Sequence, residues 1–362
     1  MVEYIFLSEQ MNINIMCIIS FILFPLIVLI SCCKNIKFDK KKTRGFSKID
    51  SQVWKGVAAF VIFLHHYSQR IVELENTKKY ADVFQIYANF SHIPVGLFFF
   101  LSGYSLLKVY KMQGKTYLQK GFIRKRFCSV FLPFFCIETI YSLVVKKSFW
   151  NYLWCLFTFH AHDDISHIAR PYWFCIAILM AYAIFYIAYG RTWRNKYKII
   201  FLFGSIFSYM AICHILNAGF WWYKSILCFG VGVLIASVEE DIWFQDNRKL
   251  IFIVSGVGMV CSTFLQICSF GIFSMISIIL QTIFFSVFIY YLNDFCSPNS
   301  FIWRYVGKYS LEIYLTHIFI IRYLEYNNIG VVRFNALLNI VFIVTLSFVI
   351  GKAVEKIKLV LS

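Results

Sequence analysis

Long apolar runs, each close to 20 residues and separated by short polar stretches, dominate the chain. A helix rises about 1.5 Å per residue, so a run of about 20 residues crosses the hydrocarbon core of a bilayer. Eleven segments qualify, near 12–33, 50–68, 92–110, 127–145, 171–189, 199–216, 222–238, 249–269, 272–292, 309–327 and 334–351. The run 149–160 is apolar but too short to span, which predicts an interfacial or re-entrant piece. Strands of a membrane barrel would alternate polar and apolar positions over roughly 10 residues, and these runs do not alternate. The expected fold class is therefore all-α, a polytopic transmembrane helical bundle of about 11 spans.

Composition agrees and narrows the class. Of 362 residues, 60% are apolar and 15% charged, with a mean hydropathy of +0.69, whereas soluble domains run at about 25% charged. The net charge of +17 would suggest a nucleic-acid partner in a soluble protein. Here the positions of the basic residues explain it. The alternate loops 34–49, 108–126, 190–198, 239–250, 293–308 and the tail 352–362 hold 7, 7, 4, 2, 2 and 3 Lys plus Arg, which is 25 of the 35. By the positive-inside rule these face the cytoplasm, which puts the N-terminus outside and the C-terminus inside a plasma (inner) membrane. No nucleic-acid partner is expected.

The N-terminal run lacks a basic stretch ahead of it and a small-residue cleavage site, so it reads as a retained helix. Cys17, Cys128, Cys136, Cys155, Cys175, Cys213, Cys228, Cys261 and Cys268 lie singly in or against apolar runs, as buried free thiols do. The expected organisation is an extra helix and basic loop at 1–45, one membrane domain at 46–351 and a short tail at 352–362.

Ionisable groups inside spans are costly and mark function by default. Lys55 and His66 share the span that begins near residue 50. Eleven helical steps leave them about 20° apart around the axis and roughly 16 Å apart along it, so they share a face, while His65 points about 80° away. A snorkelling Lys and an interfacial His are the bland alternative. On the next span FFFLSGYSL places Ser102 and Gly103, which are small enough for another helix to approach closely. Lys120, Arg124, Lys125 and Arg126 fall where the following span begins; they serve either as topology signals or as an anion-binding collar. Glu138 is a lone carboxylate that could pair with Lys55, fix the tautomer of His66, or lie packed and neutral. Ser310, Tyr314 and His317 fall within about 60° of one helix face, as a helix–helix hydrogen-bond seam would. His160, His162, Asp163, Asp164 and His167 crowd one outside loop without any defined ligand spacing; a solvated loop comes first, glycan contact second, and no metal is expected.

Taken in order, a Lys, ten residues and a His, then FFFLSGY, a basic run meeting a proline-bearing span, PYWF, and SLEIYLTH resemble the membrane-bound acyltransferase family 3. Its members include O-acetyltransferases of cell-surface polysaccharides. The resemblance covers about residues 46–350 and implies a ten-span core, to which the helix at 12–33 adds one. It assigns the essential His to His66 and its basic companion to Lys55, and the Ser-Gly pair to Ser102 and Gly103. It places the late His at His317 and the arginine before the proline-bearing span at Arg126. Ser129 stands where relatives often repeat an arginine. The activity implied is that of an O-acyltransferase (acetyltransferase), a transferase of groups other than amino-acyl groups. It would take an acyl group, acetyl above all, from cytosolic acetyl-CoA to a hydroxyl of a polysaccharide or lipid-linked glycan. The donor phosphates would meet Lys120, Arg124, Lys125 and Arg126 on the cytoplasmic side. His66, with Lys55, Glu138 and His317, would carry the chemistry near the outer side, and Ser310 and Tyr314 would bind substrate or support the site. The rival class is a lipid-linked glycan flippase or transporter, against which stands the lack of internal repeats and paired broken helices.

Overall fold

The computed structural model describes residues 45–74, 87–158, 172–296, 298–326 and 336–361, with a few positions between 23 and 30. Every element among these is a helix. In chain order they are α1 (Lys48–Leu74), α2 (His92–Gln113), α3 (Lys115–Gln119), α4 (Phe122–Val144), α5 (Phe149–Thr158), α6 (Trp173–Gly190) and α7 (Asn195–Ile215). They continue through a 3-10 turn (Phe220–Trp222) to α8 (Leu227–Val238), α9 (Ile242–Asp246), α10 (Arg248–Cys268), α11 (Gly271–Phe295), α12 (Phe301–Lys308), α13 (Ser310–Tyr326) and α14 (Ala336–Leu361).

Seven segments among the described residues are long and apolar enough to cross a membrane: α2, α4, α6, α7, the 3-10 turn with α8, α10 and α11. Helices α1, α13 and α14 occupy three further segments in which spans are expected. The expected span at 12–33 lies for the most part outside the described residues. The short apolar run after residue 148 is the ten-residue helix α5, whose Trp150 and Phe157 are exposed; a ring held at an interface behaves in this way.

Helix α2 is the centre of the bundle, with 67% of its apolar window buried, against 11% for α10, whose Ile253, Val257 and Phe264 stand exposed. In a bilayer those side chains meet lipid rather than water. Close crossings rest on glycine pairs. A Cβ on Gly103 of α2 would strike the carbonyl oxygen of Phe229, and one on Gly232 of α8 would strike that of Phe100. Gly56 of α1 and Gly307 of α12 make a second reciprocal crossing, against the carbonyls of Trp303 and Gln52. Without side chains at these positions the backbones approach to van der Waals contact, the main source of helix affinity inside a membrane.

The basic stretch 108–126, expected as a loop, is mostly helical. Two glycines with left-handed backbone, Gly114 (φ 62°) and Gly121 (φ 72°), separate α2, α3 and α4 and fold the chain between them. Arg124, Lys125 and Arg126 consequently sit at the N-terminal end of α4. Cations there oppose the helix dipole, at a cost of about 0.3–1 kcal/mol each. Likewise the expected loop 293–308 contains α12, capped by Ser300, whose hydroxyl accepts from the Trp303 N–H, and packed on α1.

At this basic end the chain before α1 is tied into the bundle. The Phe46 N–H donates to the Tyr104 hydroxyl (3.2 Å), and the Gly45 carbonyl accepts from Asn293 (3.2 Å). Buried Glu239 at the end of α8 accepts from Tyr104 (2.7 Å), Tyr290 (3.0 Å) and the Lys108 ammonium (2.5 Å). Buried carboxylates persist only when their lone pairs are filled in this way.

Candidate functional site

The helical repeat of α1 puts Lys55 and His66 on one face, three turns apart, as the 100° step requires. They open onto two different cavities. The first, of about 190 Å3, lies at the end of the bundle opposite the basic loops, and His66, His65, Gln69, Trp173, Trp221 and Lys224 are among its lining residues. The second, of about 110 Å3, lies nearer the basic end, between Lys55, Ser102, Ser129, Tyr182, Ser310 and their apolar neighbours. Tyr314 lines both, so its side chain lies where the two come together.

The hydrogen bonds of the histidines fix their tautomers. The Gln69 amide nitrogen reaches the Ala88 carbonyl (3.5 Å), so its oxygen faces His66 Nδ1 at 3.1 Å. His66 Nδ1 is then the protonated nitrogen, and the lone pair resides on Nε2. His65 donates from Nδ1 to the Tyr87 carbonyl at 2.7 Å and is buried. His317 donates from Nδ1 to the Ile313 carbonyl at 3.1 Å. Its Nε2 has no protein partner among the described residues. The His317 ring lies 5.1 Å from that of His66 and 5.8 Å from that of Tyr314. It is buried behind His66 rather than exposed on the cavity wall, a position suited to orienting His66 more than to meeting a substrate.

Glu138 is brought to neither Lys55 nor His66. It is fully buried at the opposite end of α4, where Ser142 (2.9 Å), Lys147 (3.1 Å) and Tyr172 (2.9 Å) donate to its two oxygens. The Lys147 side chain is only 2% exposed, so this is a buried ion pair joining the connection after α4 to the start of α6. Lone in sequence, the carboxylate has a close partner in space, nine residues further on.

The basic run divides by exposure. Lys120, Arg124 and Lys125 are exposed, whereas Arg126 turns inward. Its guanidinium lies 5.6 Å from the Tyr182 ring centre and 5.7 Å from that of Phe122, and it donates to the Tyr117 hydroxyl. Because Tyr182 lines the second cavity, Arg126 stands at its rim, with Ser129 one turn further along α4 on the wall. The Ser129 hydroxyl donates to the Arg126 carbonyl (2.7 Å). Gly103 serves the α2–α8 crossing, while Ser102 beside it lines the second cavity.

Sequence order alone does not single out Lys224, Trp221 or Gln69, and Trp173 stands in the PYWF motif without a role assigned to it. Trp221 and Lys224 lie on the turn around Phe220–Trp222, and Trp173 opens α6, so only folding gathers them around His66. The run WWYK ahead of a span was the available signal. Among the described residues no group of three His, Cys, Asp or Glu could hold a metal ion; His160, His162, Asp163, Asp164 and His167 lie outside the described residues. The described cysteines are free thiols, several of them buried singly, and Cys17 lies outside the described residues.

The described residues thus form a helical membrane bundle with His65, His66 and Lys224 at one cavity and Lys55 at another. The chain belongs to acyltransferase family 3: the family described as an acyltransferase domain matches residues 48–353. It is thus a multi-pass membrane acyltransferase. No curated protein and no solved structure matches the chain.

Proposed function

We propose that the protein moves an acyl group, acetyl above all, from cytosolic acetyl-CoA to a hydroxyl of a cell-surface or exported polysaccharide, or of its lipid-linked precursor. The bundle crosses the plasma membrane about 11 times, with the basic end in the cytoplasm and the N-terminus outside. One observation carries the reading: His66 lines one cavity, Lys55 lines another with Arg126 beside its Tyr182 wall, and Tyr314 is common to both. Donor phosphates suit the cationic rim, since guanidinium and ammonium groups bind phosphate oxygens with charge-assisted hydrogen bonds. Lys120, Arg124 and Lys125 draw the anion toward that rim, and the pantetheine arm passes Lys55 toward Tyr314.

At the other cavity the acceptor hydroxyl gives its proton to His66 Nε2 as its oxygen bonds to the thioester carbonyl carbon. Collapse of the adduct breaks the carbon–sulfur bond and releases the CoA thiolate, which takes up the proton from the imidazolium. Gln69 holds the His66 ring in the tautomer this needs, and the His317 ring packs beside it. Ser102, Ser310 and Tyr314 line the route.

The test is turnover. Purified protein in nanodiscs should release CoA from acetyl-CoA when acceptor glycan is added, and mass spectrometry should show acetyl esters on surface polysaccharide only from cells that contain the protein. Unchanged polysaccharide and no CoA release would refute the reading.

A further inference from the structure

Lys224 is partly buried on the wall of the first cavity, beside His65 and His66, and no described carboxylate pairs with it. An ammonium withdrawn from water is costly unless an anion pairs with it, and a bound ligand can supply that anion. Its neighbours narrow that ligand. Trp173 and Trp221 line the same cavity, Trp221 being 41% exposed. Indole faces present broad apolar surface to a partly apolar ring, while Gln69 and Ser91 add hydrogen-bonding groups. A cavity with two indoles, a few neutral polar groups and one cation is matched by a sugar that carries one negative charge.

We propose that the acceptor is an acidic glycan, and that Lys224 is its specificity-determining residue, pairing with a singly charged group on the sugar that Trp173 and Trp221 flank. The charged group is a hexuronate carboxylate or a phosphodiester; both present one negative charge to one ammonium. The proposal rests on the acyltransferase reading only for the word acceptor, since binding itself can be measured without turnover.

The experiment uses the full chain in nanodiscs and isothermal titration with three probes. These are a hexuronate-containing tetrasaccharide, the same tetrasaccharide with its carboxylates reduced to alcohols, and a tetrasaccharide bearing a glycerol phosphodiester. Wild-type protein should bind at least one anionic probe about 10-fold or more tighter than the reduced one, with the preference shrinking as salt is raised. Which anion wins names the source. Lys224→Gln should erase the preference, moving the reduced probe by less than about 3-fold; Lys224→Arg should keep it; Trp221→Ala should weaken all three together. Equal affinity of wild type for charged and reduced probes overturns the proposal even if Lys224→Gln does not fold. So does a preference that survives in folded Lys224→Gln protein. Absent CoA release alongside intact anion preference would instead refute the acyltransferase mechanism and leave the binding site standing.

Discussion

His65 and His66 are adjacent and chemically identical, and their surroundings divide the labour between them. Both line the first cavity, but His65 is buried with its N–H spent on the Tyr87 carbonyl, while His66 is half-buried with its lone pair on Nε2. His66→Ala should reduce acyl transfer at least about 100-fold, the usual worth of a general base, with expression and melting temperature unchanged within error. His65→Ala should keep most of the transfer rate but lose about 1–3 kcal/mol of stability, because a buried carbonyl loses its donor. Equal losses of rate from both would remove the distinction. The ion pair with Lys147 points to a structural role for Glu138. Removing it strands Lys147 in a dry site, so Glu138→Ala should cost about 3–5 kcal/mol, and the double replacement Glu138→Leu with Lys147→Met should recover most of that, read by thermal unfolding. An activity loss in the double variant that persists at full stability would return Glu138 to the chemistry. The relation of Lys55 to His66 was legible in the sequence because a single helix fixes it. The Glu138–Lys147 pair was not, because a turn after α4 brings Lys147 back, and no periodicity predicts a turn's path.

At the level of elements, most helices follow from apolar runs alone, since backbone polar groups in lipid must be satisfied within the segment. The exceptions are instructive. Helix α12 is eight residues long and carries Arg304 and Lys308, so its charges read as a loop. Its apolar positions nevertheless bury Trp303 against α1, and the Gly56–Gly307 crossing lets the two backbones meet. Small residues on one helix were visible as a contact signal at Ser102 and Gly103; their partner Gly232 was not, because pairing is a property of two helices. Gly307→Val would push a branched side chain into the Gln52 carbonyl, and Gly232→Val would do the same at Phe100. Each should cost about 1–3 kcal/mol or more as overpacking, whereas valine at Gly204, which faces open space, should be nearly neutral. Thermal unfolding of the three variants in one detergent compares them directly; comparable losses at all three positions would contradict the crossing geometry.

At the scale of the whole molecule, the proposed reaction would draw substrates from two sides and must keep water and thioester from meeting unproductively. Tyr314 is the side chain common to both cavities, buried and wedged against Phe174 at 5.1 Å and His317 at 5.8 Å. On the proposed mechanism a ring at this place would let a thioester reach His66 while limiting water between the cavities, and exclusion of water is what separates transfer from hydrolysis. Tyr314→Ala would join the two cavities. Its expected signature is uncoupling: CoA release without added acceptor should rise severalfold while acylated glycan falls, so the ratio of product to CoA drops by about 10-fold or more. Tyr314→Phe preserves the ring and should hold the ratio near that of the wild type, which separates the effect of the ring from any role of the hydroxyl. Both quantities come from one reaction, thiol release by colorimetry and glycan ester by mass spectrometry, so an enzyme that is merely damaged loses both together. If the alanine variant keeps the wild-type ratio, Tyr314 does not divide the two substrates. The boundary would then lie among the other rings that bridge α2, α6 and α13, with Phe98 and Phe174, both on the Lys55 cavity, the next positions to open.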